Sequence, residues 1–222
     1  MNQIVNCAKF DYRMVMVYKK TYWLFFLVPL LYLFISQDVR NGLYVSGIMA
    51  IMMIGYPFSI EEKGRVELRL RTMPVSWRQM VWGRYLYTVL FLALFLLLIS
   101  AESVLLGAIF GLDIVLWQIF AGYGASLGVA LLFAALQLPV FYKFGYMKSR
   151  IVVFLPFIVL WFAIMILGNY LTSREETPVL LEKIEAVFAD PFMVGIVLVV
   201  IVLLSLAFSL FLSTTICRKK DM

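Results

Sequence analysis

Stretches of apolar residues long enough to cross a lipid bilayer recur along this chain, and the charged residues are gathered into short clusters between them. Six such stretches can be read, at 21–36, 43–59, 85–110, 114–141, 151–171 and 192–213. An α-helix needs about 20 apolar residues to cross a hydrocarbon core of roughly 30 Å. No period-two alternation over ten-residue segments is present, so strands of a membrane barrel are not expected. Helices are left, because within lipid every backbone polar group must be satisfied inside its own segment. The expected fold class is all-α: one polytopic domain, 1–222, with six transmembrane helices.

Composition agrees. Apolar residues make up 64% of the 222 residues and charged residues 14%, against about 45–50% apolar in soluble domains. The net charge of +6 would suggest nucleic acid in a soluble domain, but here topology accounts for it and no nucleic-acid partner is expected. Histidine is absent, which removes imidazole-based hydrolysis and most catalytic zinc sites. Cys7 and Cys217 lie near opposite ends of the chain on what should be the reducing side, so no structural disulfide is expected.

Lysine and arginine orient the spans, since positive loops stay in the cytoplasm. Sixteen of the 19 fall in the N-terminal segment, the second and fourth loops and the C-terminus; Arg40, Arg174 and Lys183 are the exceptions. The chain is therefore expected in the cell membrane with both termini in the cytoplasm, and an even number of spans fits. A cleaved signal peptide is not expected, because the basic region before the first span is long and no small-residue cleavage site follows it. Tyr22, Trp23, Trp77, Trp82, Tyr85, Trp117 and Trp161 lie near span ends, where interfacial aromatic anchors belong. Residues 1–20 read as an interfacial helix. Asn2, Asn6, Lys9, Arg13 and Lys20 share one stripe and Ile4, Ala8, Met14, Val15 and Tyr18 the other, with Asp11 interrupting the apolar side.

The loop at 60–84 carries the most information. Ser59 with Glu62, and Ser76 with Gln79, match capping boxes and predict two helix starts. Pro74 separates the two helices. Glu61 and Arg65, Lys63 and Glu67, and Glu67 and Arg71 stand at i,i+4 spacing, and Val66, Leu70 and Met73 form an apolar ridge. A capped, ridge-bearing, charge-laced helix suits docking into a protein groove. A solvated loop whose arginines only set topology is the plainer alternative.

Tyr56-Pro57-Phe58-Ser59-Ile60-Glu61-Glu62-Lys63, then Met73-Pro74-Val75-Ser76 and Val81-Trp82-Gly83-Arg84-Tyr85-Leu86, resembles the signature of small bacterial type-2 ABC exporter permeases. Met73 stands where that family usually has leucine and Trp77 where it has arginine, with Arg78 one place late. The resemblance implies a permease subunit paired with a second permease copy or homologue and with two ABC ATPase subunits. It implies that the 60–84 loop holds the coupling helix seated in the ATPase groove: Glu61, Glu62, Lys63, Gly64, Arg65, Glu67 and Arg69, with Pro74 and Ser76 at the turn. It further implies export of amphipathic or hydrophobic cargo, peptides above all. The chain has no Gly-x-x-x-x-Gly-Lys-Ser/Thr sequence, so no cofactor is expected on it, and ATP with Mg belongs to the partner.

Four other features bear on function. Gly124-Ala125-Ser126-Leu127-Gly128 matches a nucleophile elbow, but it lies in an apolar helix with no histidine available, so Gly124 and Gly128 read as a helix-packing pair, with Gly107 and Gly111 repeating the spacing. Glu61-Glu62 with Arg65 could suggest an intramembrane protease, which would also need histidines. Glu102, with Gln137 and Asn169, is a candidate for the cargo path or a gate, because polar groups within spans are costly. At 172–191, Thr177-Pro178 opens a short interfacial helix with Leu180, Leu181, Ile184, Val187 and Phe188 on one face, expected in an extracellular loop. Membrane lipid is a partner throughout. Two other readings stay open: a membrane scaffold or sensor that holds a cytoplasmic partner, and a passive channel, for which no long polar stripe is found.

Overall fold

The computed structural model describes residues 2–17, 19–36, 39–64, 75–111, 115–149 and 191–220, with isolated positions between 151 and 166. Seven long elements are described, all of them α-helices: α1 (Asn2–Met16), α2 (Lys19–Ser36), α3 (Val39–Met53), α4 (Tyr56–Gly64), α5 (Trp77–Ile109), α6 (Leu116–Phe144) and α7 (Pro191–Lys220). The protein is a polytopic all-α membrane protein. Among the described residues four helical stretches are long and apolar enough to cross a bilayer: Gly42–Gly64, Trp77–Ile109, Leu116–Phe144 and Val194–Lys219. A shorter apolar helix covers Phe25–Ser36. The fifth expected span, the 172–191 loop and Asn169 lie outside the described residues apart from single helical positions.

Helix α6 packs most extensively against α7 and α3, while α1 lies along α5. On α5 the residues Val81, Tyr85, Leu92, Leu96 and Ile99 are buried at helical spacing. They meet Ala50, Ile54 and Phe58 from α3 and α4 and Ala130, Ala134, Leu138 and Phe141 from α6 in one core. Faces turned away from this core stay apolar: Leu94, Leu98, Phe120, Leu204 and Phe211 are exposed, as lipid-facing residues of a membrane bundle are.

Without a hydrophobic drive between helices inside lipid, close approach and polar bridges hold the bundle. Tyr85 Oη lies 2.6 Å from Ser209 Oγ and 2.8 Å from Ser213 Oγ on α7. Ser209 Oγ in turn donates to the Ala135 carbonyl at 2.5 Å, and Ser126 Oγ donates to Leu43 O at 3.2 Å. Tyr85 is therefore a buried bridge between spans and not the interfacial anchor its position suggested. The glycine pair divides: a Cβ at Gly128 would collide with Leu198 of α7, while Gly124 faces open space. Close packing belongs to Gly128.

Two boundaries differ from the sequence reading. The helix of the third span, α5, begins at Trp77, where the Ser76 capping box predicts a start, and not at the beginning of the apolar run at 85. Its 33 residues measure about 50 Å at 1.5 Å per residue, so nearly four turns exceed a hydrocarbon core of roughly 30 Å. The second span breaks at Ile54-Gly55 and restarts at Tyr56, because Pro57 supplies no N–H and its ring opposes continuation of the helix from α3. Ser59 consequently lies inside α4, its N–H bonded to Gly55 O at 3.0 Å, and is not an N-cap. Ser76 does cap α5: its Oγ accepts from Gln79 N at 3.4 Å and its N–H donates to Gln79 Oε1 at 3.1 Å.

Candidate functional site

The base of the bundle, where α4 ends and α5 begins, is where the charged side chains converge. Because Ser76 starts α5 so early, Arg84 stands two turns into a helix on the inward stripe with Val81 and Thr88, and it is 5% exposed. Its Nε donates to Asp11 Oδ2 at 3.1 Å and its Nη2 to Asp11 Oδ1 at 2.8 Å. Its Nη1 donates to Glu61 Oε2 at 2.6 Å. The guanidinium plane also covers the Phe58 ring, with Cζ 4.4 Å from the centroid. A planar fork that meets one carboxylate with two parallel bonds and a second with its remaining arm is a geometry lysine cannot copy.

Asp11 thus does not spoil the apolar side of α1. Ala8 and Val15 on the same side are buried against Tyr87, and Asp11, 3% exposed, lies between them in sequence to meet Arg84. Helix α1 approaches closely because Gly83 has no side chain: a Cβ there would lie 2.5 Å from Cys7 Cβ and 3.0 Å from Ile4 O. Burial under this contact pushes the Cys7 thiol above its ordinary pKa, with the Asp11 carboxylate adding to the shift.

Glu62 turns the other way. Its Oε2 accepts from Tyr146 N at 2.8 Å and Met147 N at 3.0 Å, capping the short helical turn that follows α6. Gly145 makes that turn possible with φ +78°, a conformation that favours glycine. Tyr146 then packs over Gly55, where a Cβ would lie 2.6 Å from its ring. The end of α4 is therefore tied to α1 and α5 through Glu61 and to the end of α6 through Glu62.

The expected docking residues fall into three groups. Glu61 and Glu62 engage partners within the chain. Lys63 and Gly64 are exposed at the end of α4, and Ser76 is exposed at the start of α5. Arg65, Glu67, Arg69 and Pro74 lie outside the described residues, as do the i,i+4 pairs they were expected to form. Of the path candidates, Glu102 is partly exposed on α5 towards the end opposite the base, and Gln137 is 4% exposed on the inward face of α6. They are not brought together. Sequence reading missed the Asp11–Arg84–Glu61 knot, although an acid on the apolar side of α1 and an arginine on the inward stripe of a capped helix were both visible signs of it. Among the described residues no cluster of acids or cysteines forms a metal site.

The described helices form a bundle whose ionic joints gather at one end, among α1, α4, α5 and the end of α6. The family profile described as ABC-2 family transporter protein matches residues 10–218, and the chain belongs to that family. It is a permease subunit of an ABC transporter, a family whose members associate with an ABC ATPase. No curated protein matches the chain.

Proposed function

We propose that this permease serves an ATP-driven exporter, with six spans, both termini in the cytoplasm, a second permease copy or homologue beside it and two ATPases beneath. The 60–84 loop is the ATPase-docking element, with Lys63, Gly64, Arg65, Glu67 and Arg69 on the docking side and Pro74 and Ser76 at its exit. Glu61 and Glu62 belong to the same element as its anchors. The observation that carries this reading is the double tether of α4, by Glu61 to Arg84 and by Glu62 to the Tyr146 and Met147 amides.

A push on the loop is not absorbed locally, because α4 cannot shift without moving α5, α1 and the end of α6. ATP-driven closure of the motors would favour the arrangement in which these helices tilt, narrowing an inner cavity and opening an outer exit, since each state is selected by its contacts with the ATPase. Cargo is amphipathic or hydrophobic, peptides first, because the spans present few buried charges to hold a hydrophilic solute. Glu102, Gln137 and Asn169 are the polar positions such cargo would pass.

The test is charge reversal on the docking side, Lys63→Glu with Arg65→Glu and Arg69→Glu, in the protein co-expressed with its ATPase. The variant should insert and purify normally while retention of the ATPase falls to background. Unchanged retention, or ATP hydrolysis that no amphipathic cargo stimulates, would overturn the exporter reading in favour of a scaffold.

A further inference from the structure

Beside the ionic knot lies a cavity of about 630 Å³, bounded by α1, α4, the first turns of α5, the end of α6 and the 145–148 turn, with Cys217 of α7 at its wall. Its lining is rich in rings, with Phe10, Phe58, Trp77, Phe141, Tyr142 and Tyr146 among them. The size is that of pockets for small organic ligands, roughly 300–1,000 Å³. It lies at the ends of spans, beside the first turns of α5 and the end of α6.

By formal charge the lining is balanced, Asp11, Glu61 and Glu62 against Arg84, Lys143 and Lys148. What a ligand would meet is not balanced. Asp11 and Glu61 are directed onto Arg84, and the one negative charge left over in that knot is shared by two carboxylates whose side chains are 5% and 17% exposed. Glu62 is held by two backbone N–H groups. The two lysines are different. Lys143 Nζ lies 5.1 Å over the Phe144 ring and Lys148 is exposed, and neither has a carboxylate partner among the described residues.

We propose that this chamber binds an anionic amphiphile, with its acidic headgroup against Lys143 and Lys148 and its apolar part among the rings. A purely hydrophilic anion would leave the aromatic walls without a partner, and a cation would find every acid already bonded. Basic pockets between spans recognise acidic headgroups in this way. The headgroup could come from a lipid of the adjoining leaflet or from a soluble amphiphile partitioned there; the recognising chemistry is the same. Binding would be a property of this chain alone and independent of ATPase docking.

Trp77, on the chamber wall, supplies the readout. The full-length protein is reconstituted into phosphatidylcholine vesicles containing increasing fractions of tail-brominated phosphatidylglycerol or tail-brominated phosphatidylcholine. The quenching due to Trp77 is isolated by subtracting the Trp77→Phe variant. Half-quenching is expected at about tenfold lower mole fraction for the anionic lipid, since each lysine near a headgroup contributes several-fold. Lys143→Gln with Lys148→Gln should remove that preference, and Lys143→Arg with Lys148→Arg should keep it; both lysines are exposed, so folding is not at stake. Dodecyl phosphate below its micellar concentration separates the sources. Reversal of quenching assigns the chamber to soluble amphiphiles, and persistence assigns it to lipid. Equal curves for the two lipids in the native protein, or a preference that survives the glutamine pair, would overturn the proposal.

Discussion

The two ends of the bundle are built by different means. At the base, Asp11, Glu61 and Arg84 form a buried ionic knot, Glu62 caps a turn, and Gly83 lets α1 lie almost on the backbone of α5. At the far end, apart from the Ser126 Oγ bond to Leu43 O, the described contacts are apolar: Phe34 meets Phe110 with centroids 4.8 Å apart, and Leu43, Ile119 and Val104 form a small cluster. Glu102, the acid nearest that end of α5, makes no ion pair or hydrogen bond among the described residues. Directional bonds fix relative positions of helices, whereas apolar contacts inside lipid permit sliding. A subunit that receives force at one end and changes shape at the other would be divided in this way.

The largest effect should come from Arg84→Gln. Removing one partner of a buried ionic group costs about 3–5 kcal/mol, and here it would leave two carboxylates facing each other. Thermal or detergent-induced unfolding of the reconstituted protein should shift accordingly, and a shift no larger than that of an exposed substitution would mean the knot is ornamental.

Gly83→Leu should rank next, at about 1–3 kcal/mol, the usual cost of overpacking. Its clearer consequence is at Cys7. In the native protein the raised pKa means a smaller thiolate fraction at any pH than for an ordinary thiol, so alkylation should be slow near pH 8 and should keep accelerating beyond the ordinary thiol range. Displacing α1 should return the pH profile of Cys7 labelling, followed in a Cys217→Ser background, towards that of a free thiol. An unchanged profile would show that α1 is not held by this contact.

Glu102→Gln should change stability least, within about 0.5 kcal/mol, as expected of a residue with no partner to lose among the described residues. Any effect should appear in transport alone. A stability loss matching that of Arg84→Gln would erase the contrast between the ends.

Much of the fold was legible because its strongest signals are one-dimensional. Apolar run lengths gave the four described spans, and the Ser76 capping box gave the start of α5. The joints were harder to read because they are contacts between distant residues: 73 positions separate Asp11 from Arg84, and 84 separate Glu62 from Tyr146. Within the 60–84 segment, local spacing pairs Glu61 with Arg65, which lies outside the described residues, but it gives no sign that Arg84 on the neighbouring helix bonds that carboxylate. In the sequence Arg84 is one more topology-setting cation, since charge alone does not distinguish an arginine that faces water from one that faces two acids. Tyr85 was misplaced for a similar reason. Its hydroxyl could be satisfied by headgroups or by serines of another helix, and only packing decides between them.

The most direct test of the central claim, that the loop beside the ionic knot is where the motor acts, is photocrosslinking from a benzoylphenylalanine introduced at Arg69 in the assembled transporter. The account predicts a crosslink to the ATPase whose yield changes when a non-hydrolysable ATP analogue is added. Failure to crosslink while a probe at the far end of the bundle does so, or labelling of position 69 by an impermeant reagent applied outside the cell, would contradict it.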